Sequence, residues 1–145
     1  MTTIAYKDGV IACDSRASGN DMILDDDFNK RTVRNGVEFY LAGSPSDAQS
    51  MMTAYFDGTG VPELDSCAIV IDGDNLFYVM IDKTGKLNKI SLRKNQTIAI
   101  GSGSVHAYTA MDLGFSAVEA VRAAKKRDMW TGGRVRQYKL NKKQQ

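Results

Sequence analysis

Along the first half of the chain, apolar residues come in short runs separated by turn-forming residues, the pattern of strands. Thr3 to Tyr6 and Val10 to Cys13 are two such runs, joined through Lys7-Asp8-Gly9, and Asp-Gly is a strong hairpin signal. Asp21 to Asn29 is acidic and aperiodic and reads as an exposed loop. Val37 to Ala42 is the next strand, ending at Gly43. Ser44-Pro45-Ser46-Asp47 is a helix-start sequence, and Ala48, Met51, Met52, Tyr55 and Phe56 then recur at helical spacing as a predicted buried stripe. Asp57-Gly58-Thr59-Gly60-Val61-Pro62 terminates that helix.

Four more strands follow: Ser66 to Ile71, Leu76 to Ile81, Leu87 to Leu92 and Thr97 to Ile100, with turns at Gly73-Asp74 and Thr84-Gly85. Past Gly101-Ser102-Gly103-Ser104 the period changes to that of helices. Ala107, Ala110 and Met111 mark one, and a second runs from Ala117 to near Lys126 behind the capping-box spacing of Ser116 and Glu119. Thr131-Gly132-Gly133 breaks the pattern, and Val135 to Leu140 is a last strand. Strands, helix, strands, two helices and a strand predict an α+β layered domain rather than a parallel βαβ sheet.

Composition adds limits. A chain of 145 residues is one domain's worth, residues 1–145, with 43% hydrophobic and 25% charged residues and a formal charge of +2. No cluster interleaves aromatic and basic residues, so no nucleic-acid partner is expected. No apolar run approaches the roughly 18 residues of a membrane span, and the start has no secretory pattern. Cys13 and Cys67 sit inside apolar runs and read as buried thiols in a reducing compartment. A cytoplasmic protein without membrane contact is the expectation.

Several chemistries lack their residues. The single histidine, His106, falls at a predicted helix start and is a poor centre for a Ser-His-Asp triad. Two isolated cysteines and one histidine do not make a zinc site. Asp25-Asp26-Asp27 has no His or Cys beside it and reads as a loop, not a metal site. The Gly101 to Ser104 loop lacks the Gly-Lys-Ser/Thr ending of a phosphate loop. Neither metal nor organic cofactor is expected. What remains is Thr2: once Met1 is removed, it carries a hydroxyl nucleophile and an α-amine base on one residue, and that amine's ordinary pKa is roughly 7.7–8.0.

Four motifs, in order, make this specific. Thr2-Thr3-Ile4-Ala5 with Gly9 to Ser18 resembles the amino-terminal hairpin of proteasome β subunits and HslV-type peptidases. Leu41 to Ala48 resembles their Ala-Gly-Gly-x-x-Asp strand-to-helix turn. Ile100 to Ser104 with Ala107 to Phe115 is similar to their Gly-Ser-Gly loop and following helix. Arg127-Asp128-Met129-Trp130-Thr131-Gly132-Gly133 resembles their Arg-Asp-x-x-Ser-Gly-Gly segment.

That resemblance implies a four-layer α-β-β-α sandwich of two antiparallel sheets, the amino-terminal-nucleophile hydrolase fold. It implies a threonine peptidase acting on polypeptides, a ring-shaped homo-oligomer and an ATP-dependent unfoldase as a possible partner. Carried over by position, Thr2 is the nucleophile, Asp14 the carboxylate that holds the catalytic lysine, and Lys30 that lysine, with Arg31 adjacent. Gly43 supplies the oxyanion N–H, and Ser102, Asp128 and Thr131 surround the α-amine. Ser18 aligns extended substrate. Each also has an ordinary structural reading: Asp14 as a strand-end turn, Lys30 as a surface lysine, Ser102 as a cap, Asp128 as a helix end. Two departures stand out. The first hairpin is short, and a Gly/Pro loop replaces a second long helix after Phe56. That shortening predicts an uncovered patch at Met51, Met52, Tyr55 and Phe56, to be buried against a neighbouring copy. A non-catalytic assembly subunit of the same fold is the alternative function, and a small-amide hydrolase a third.

Overall fold

Asp8 and Gly9 both have positive φ (50° and 80°), the geometry of a two-residue hairpin turn whose twist matches that of the strands. It joins β1 (Ile4–Lys7) to β2 (Val10–Cys13), paired antiparallel from Ile4↔Cys13 to Lys7↔Val10. The computed structural model describes residues 2–58 and 66–140. They form two compact units, one built from the two ends of the chain (up to Lys30 and from Arg93) and one from Arg31–Leu92.

In the first unit β1 and β2 are the centre of a four-stranded antiparallel sheet. β10 (Ile98–Ile100) pairs with β1, and β11 (Arg136–Lys139) pairs with β2 as an edge. Two helices, α2 (Ser104–Asp112) and α3 (Ala117–Lys125), pack on it. Alanine dominates this interface: Ala5, Ala12 and Ala99 from the sheet meet Ala107, Ala110, Ala117 and Ala120. Such small side chains let the helices come close, because interaxial distance follows the side chains at the contact. The predicted capping box is formed: Ser116 Oγ accepts from the Glu119 N–H at 3.1 Å and Glu119 accepts from the Ser116 N–H at 3.0 Å.

The loop expected over Asp21 to Asn29 is partly a strand. β3 (Ala17–Gly19) and β4 (Met22–Asp25) form a hairpin turned by Asn20 and Asp21, both at positive φ. All four β4 residues are exposed, so the strand has no apolar alternation to betray it.

The second unit is an antiparallel sheet in the order β5 (Arg31–Arg34), β6 (Val37–Ala42), β7 (Cys67–Asp72), β8 (Asn75–Ile81), β9 (Leu87–Leu92). The segment Arg31–Arg34 carries one apolar residue and gave no strand pattern; Asn35-Gly36, both at positive φ, makes its turn. A 3-10 turn over Pro45–Asp47 leads into α1 (Ala48–Asp57), which ends where Gly58 takes a left-handed φ of 70°. Met51, Met52 and Ala54 pack against Phe39, Ala68, Val70 and Val79 within this unit.

Two expectations are corrected here. Met51 and Met52 are 0% and 2% exposed, so the sheet already covers the stripe expected to lie open. Of the stripe only Phe56 is exposed, at 38%, and its ring still meets Phe39 of β6 edge-on at 6.0 Å. Cys13 is buried, but Cys67 at the start of β7 is only half-buried. The Gly/Pro loop expected to replace a helix falls mainly on 59–65, outside the described residues. No described helix is long and apolar enough to cross a membrane.

Candidate active site

The register of β1 with β2 continues past the strand ends and brings Thr3 opposite Asp14: the Asp14 N–H donates to Thr3 O at 3.1 Å, and the Thr3 N–H donates to Asp14 Oδ1 at 3.0 Å. Asp14 is fully buried and has four donors in all. Lys30 Nζ reaches Oδ1 at 2.7 Å, and the N–H groups of Gly132 and Arg16 reach Oδ2 at 3.0 and 3.3 Å. A buried carboxylate is tolerated when paired and saturated with donors, as this one is. Lys30 also donates to Thr2 Oγ1. Burial pulls the Lys30 ammonium below the usual lysine range, against the attraction of Asp14, which holds it charged. Arg31, the adjacent alternative, belongs to the second unit, where it pairs with Glu38 at 2.8 Å.

A second set of groups surrounds the Thr2 nitrogen. The Thr2 N–H donates to Ser102 Oγ at 3.1 Å, and Ser102 Oγ donates to Asp128 Oδ2 at 2.6 Å. Thr131 Oγ1 donates to the same carboxylate oxygen at 2.5 Å and lies 2.7 Å from Thr3 Oγ1. Asp128 follows the last turn of α3, its N–H bonded to Ala124 O at 2.8 Å, and a turn closes from the Thr131 N–H to Asp128 O. Burial works against ionising Asp128. The hydroxyls of Ser102 and Thr131 and the Trp130 N–H outweigh it and hold the carboxyl below its usual value.

The two glycines flanking Ser102 in the Gly-Ser-Gly loop, not named above as site residues, set how closely these parts approach. Gly101 has a φ of +98°, and a Cβ there would lie 2.1 Å from the Thr2 carbonyl oxygen. At Gly103 a Cβ would lie 2.0 Å from Thr3 Oγ1, while its N–H donates to Thr2 O at 3.2 Å. The Gly-x-Gly spacing beside Ser102 was the available signal. Thr3 and Gly132 were also missed as site residues; each contributes through a backbone N–H, which no side-chain pattern reveals.

Thr2, Asp14, Lys30, Ser102, Asp128 and Thr131 are thus brought together in the first unit. Gly43 belongs to the second unit. It ends β6 at a φ of +153°, with room for no side chain, since a Cβ would lie 2.5 Å from Ser66 Oγ, itself bonded to Asp47 at 3.0 Å. Ser18 lies on β3; its hydroxyl is buried and has no hydrogen-bond partner among the described residues. His106 is exposed on α2. Among the described residues no group of His, Cys, Asp and Glu could hold a metal ion.

The described residues carry a mixed α+β architecture on antiparallel sheets of four, two and five strands, the fold of a solved HslV structure. The solved structure of eukaryotic HslV from Trypanosoma brucei superposes with a TM-score of 0.72, covering 97% of this chain and 98% of that one at 19% identity. No family model and no curated protein matches the sequence.

Proposed function

We propose that the chain, as one proteasome-like domain over residues 1–145, is a threonine-type peptidase that hydrolyses polypeptides with Thr2 after the bond preceding it is cut. The observation that carries the reading is the buried Lys30 ammonium, shared between Thr2 Oγ1 and Asp14. A cation beside a hydroxyl favours its alkoxide, and the fixed carboxylate keeps the cation charged and aimed.

The steps follow from these groups. Thr2 Oγ1 attacks the substrate carbonyl and its proton passes to the Thr2 α-amine, which Ser102 and Asp128 orient. The oxyanion is met by the Gly43 N–H, the role the family motif gives that residue. Collapse breaks the C–N bond, the leaving amine takes the proton from the α-ammonium, and a threonyl ester remains. Water, deprotonated by the α-amine, then splits the ester and restores Oγ1–H. Ser18, on a two-stranded hairpin, offers extended substrate a strand to lie along. By the same resemblance we expect a cytoplasmic ring-shaped homo-oligomer, served by an ATP-dependent unfoldase. Sedimentation showing only a 15.9 kDa species would count against the ring.

An epoxyketone, which needs both a hydroxyl and a free amine on one threonine, tests the nucleophile. It should add to a protein whose mass shows Thr2 at the terminus, and Thr2→Ala should take up none. A terminus still blocked, with no adduct, favours the assembly-subunit alternative.

A further inference from the structure

We infer that Arg136 is a positioning residue that fixes Lys30 against Asp14 and Thr2; its catalytic meaning rests on the peptidase reading, its geometry does not. Lys30 ends a strap, residues 25–30, that leaves the exposed hairpin strand β4. Like charges in a run of three aspartates repel, and within the run the Asp27 N–H donates to Asp25 Oδ1 at 2.8 Å, a local turn that does not by itself fix where the strap lies. Residues 26–30 are instead tied down from outside. Arg16 pairs with both carboxylate oxygens of Asp26, at 2.8 and 3.1 Å. The Phe28 N–H donates to Ser15 O at 2.9 Å, and Tyr138 donates to Asn29 at 2.9 Å.

Arg136 is the hub of these ties. It sits on β11 opposite Cys13, beside the start of the Asp14-Ser15-Arg16 segment. Its Nη1 donates to Ser15 Oγ at 2.6 Å and to Phe28 O at 3.2 Å. Its Nη2 donates to Asp27 Oδ1 at 2.9 Å and to Asp27 O at 3.3 Å. One planar group therefore joins the neighbour of Asp14 to the strap that delivers Lys30, and its side chain is only 14% exposed. Arg134 adds a second cation on Asp27 Oδ1 at 2.8 Å and accepts from Ser15 Oγ at 2.6 Å through its carbonyl oxygen. A guanidinium spans such spread acceptors because its donors form a rigid fork; an ammonium is a point and does not. Arg136 touches neither Thr2 nor Lys30. It acts by holding the strap, and a reacting group misplaced by about 1 Å can lose on the order of 10²-fold in rate.

The test uses the full chain with Arg136→Gln. Pulse labelling with an amine-reactive reagent, quantified at each lysine by mass spectrometry, reads how well Lys30 is held; peptide cleavage gives kcat and KM. We expect Lys30 labelling to rise about tenfold or more, with exposed Lys89 unchanged, and kcat to fall about tenfold with KM within about twofold. Arg136→Lys should not rescue. A folded Arg136→Gln protein with wild-type Lys30 labelling overturns the inference. If that variant does not fold, Asp27→Asn decides, since the Asp27 side chain is 68% exposed and its loss spares the core. Lys30 labelling should rise there about threefold, and unchanged labelling overturns the inference. A wild-type protein that cleaves no peptide counts against the peptidase reading alone, because the labelling readout needs no activity.

Discussion

Lys30 Nζ lies 2.7 Å from Asp14 Oδ1, with the two side chains 4% and 0% exposed, so the pair is an internal one. Breaking a buried pair by removing one partner typically costs about 3–5 kcal/mol, because the other charge is left uncompensated. Three backbone N–H groups still serve Asp14, which puts Lys30→Ala toward the lower end. The same substitution should slow epoxyketone addition and peptide cleavage by about 10²–10³-fold. Urea unfolding and adduct kinetics check the two losses separately. A stable, fully reactive Lys30→Ala protein would mean that another group does this work.

The pH dependence follows from the same pair. The protonated form of Lys30 is the one that acts, and burial lowers its pKa from the ordinary value of about 10.4. Activity should therefore fall as pH rises through a limb placed below the ordinary lysine range. Asp14→Asn removes the opposing attraction, so its limb should lie lower still. In the window between the lowered and the ordinary value the unfolded chain holds a proton the folded one has shed. This group's contribution to stability thus rises with pH. A kcat–pH profile with its alkaline limb at or above the free-lysine value would contradict the assignment.

Gly101→Ala tests the loop that seats Thr2. Left-handed strain and the clash with the Thr2 carbonyl together should cost about 2–6 kcal/mol. Loss of adduct formation in whatever folds is the expected companion, read by thermal melting and mass spectrometry. Gly36→Ala, at a φ of +76° with nothing within 4 Å, is the control that carries strain without the clash.

Thiol reagents separate a threonine site from a cysteine one. Burial pushes the Cys13 thiol up to about 12, beyond the reach of alkylation at neutral pH. Iodoacetamide on the native protein should therefore leave Cys13 unmodified and activity intact, with any labelling confined to half-buried Cys67. Inactivation that tracks Cys13 modification would be inconsistent with the mechanism.

Much of the local structure was legible in the sequence because it is decided over a few residues. Asp8-Gly9 fixes a turn, Ser116 and Glu119 cap α3, and short apolar runs such as Val37–Ala42 mark strands. The four motifs, likewise, placed Thr2, Asp14, Ser102, Asp128 and Thr131 as a candidate set before any distance was known, and the same resemblance added Lys30 with Arg31 beside it. Tertiary structure decided the rest. It put Lys30 rather than Arg31 on Asp14, a choice two adjacent cations leave open until the chain crosses from one unit to the other. It turned the Asp25-Asp26-Asp27 run from a solvated loop into an ordered strap, through Arg134 and Arg136, more than a hundred residues away. It covered Met51 and Met52 with a sheet assembled from strands on either side of α1. In each case the deciding energy is a contact between distant segments. Periodicity and turn chemistry report what a residue does within its own few neighbours, and carry no information about which remote group will arrive to pair, cover or charge-balance it.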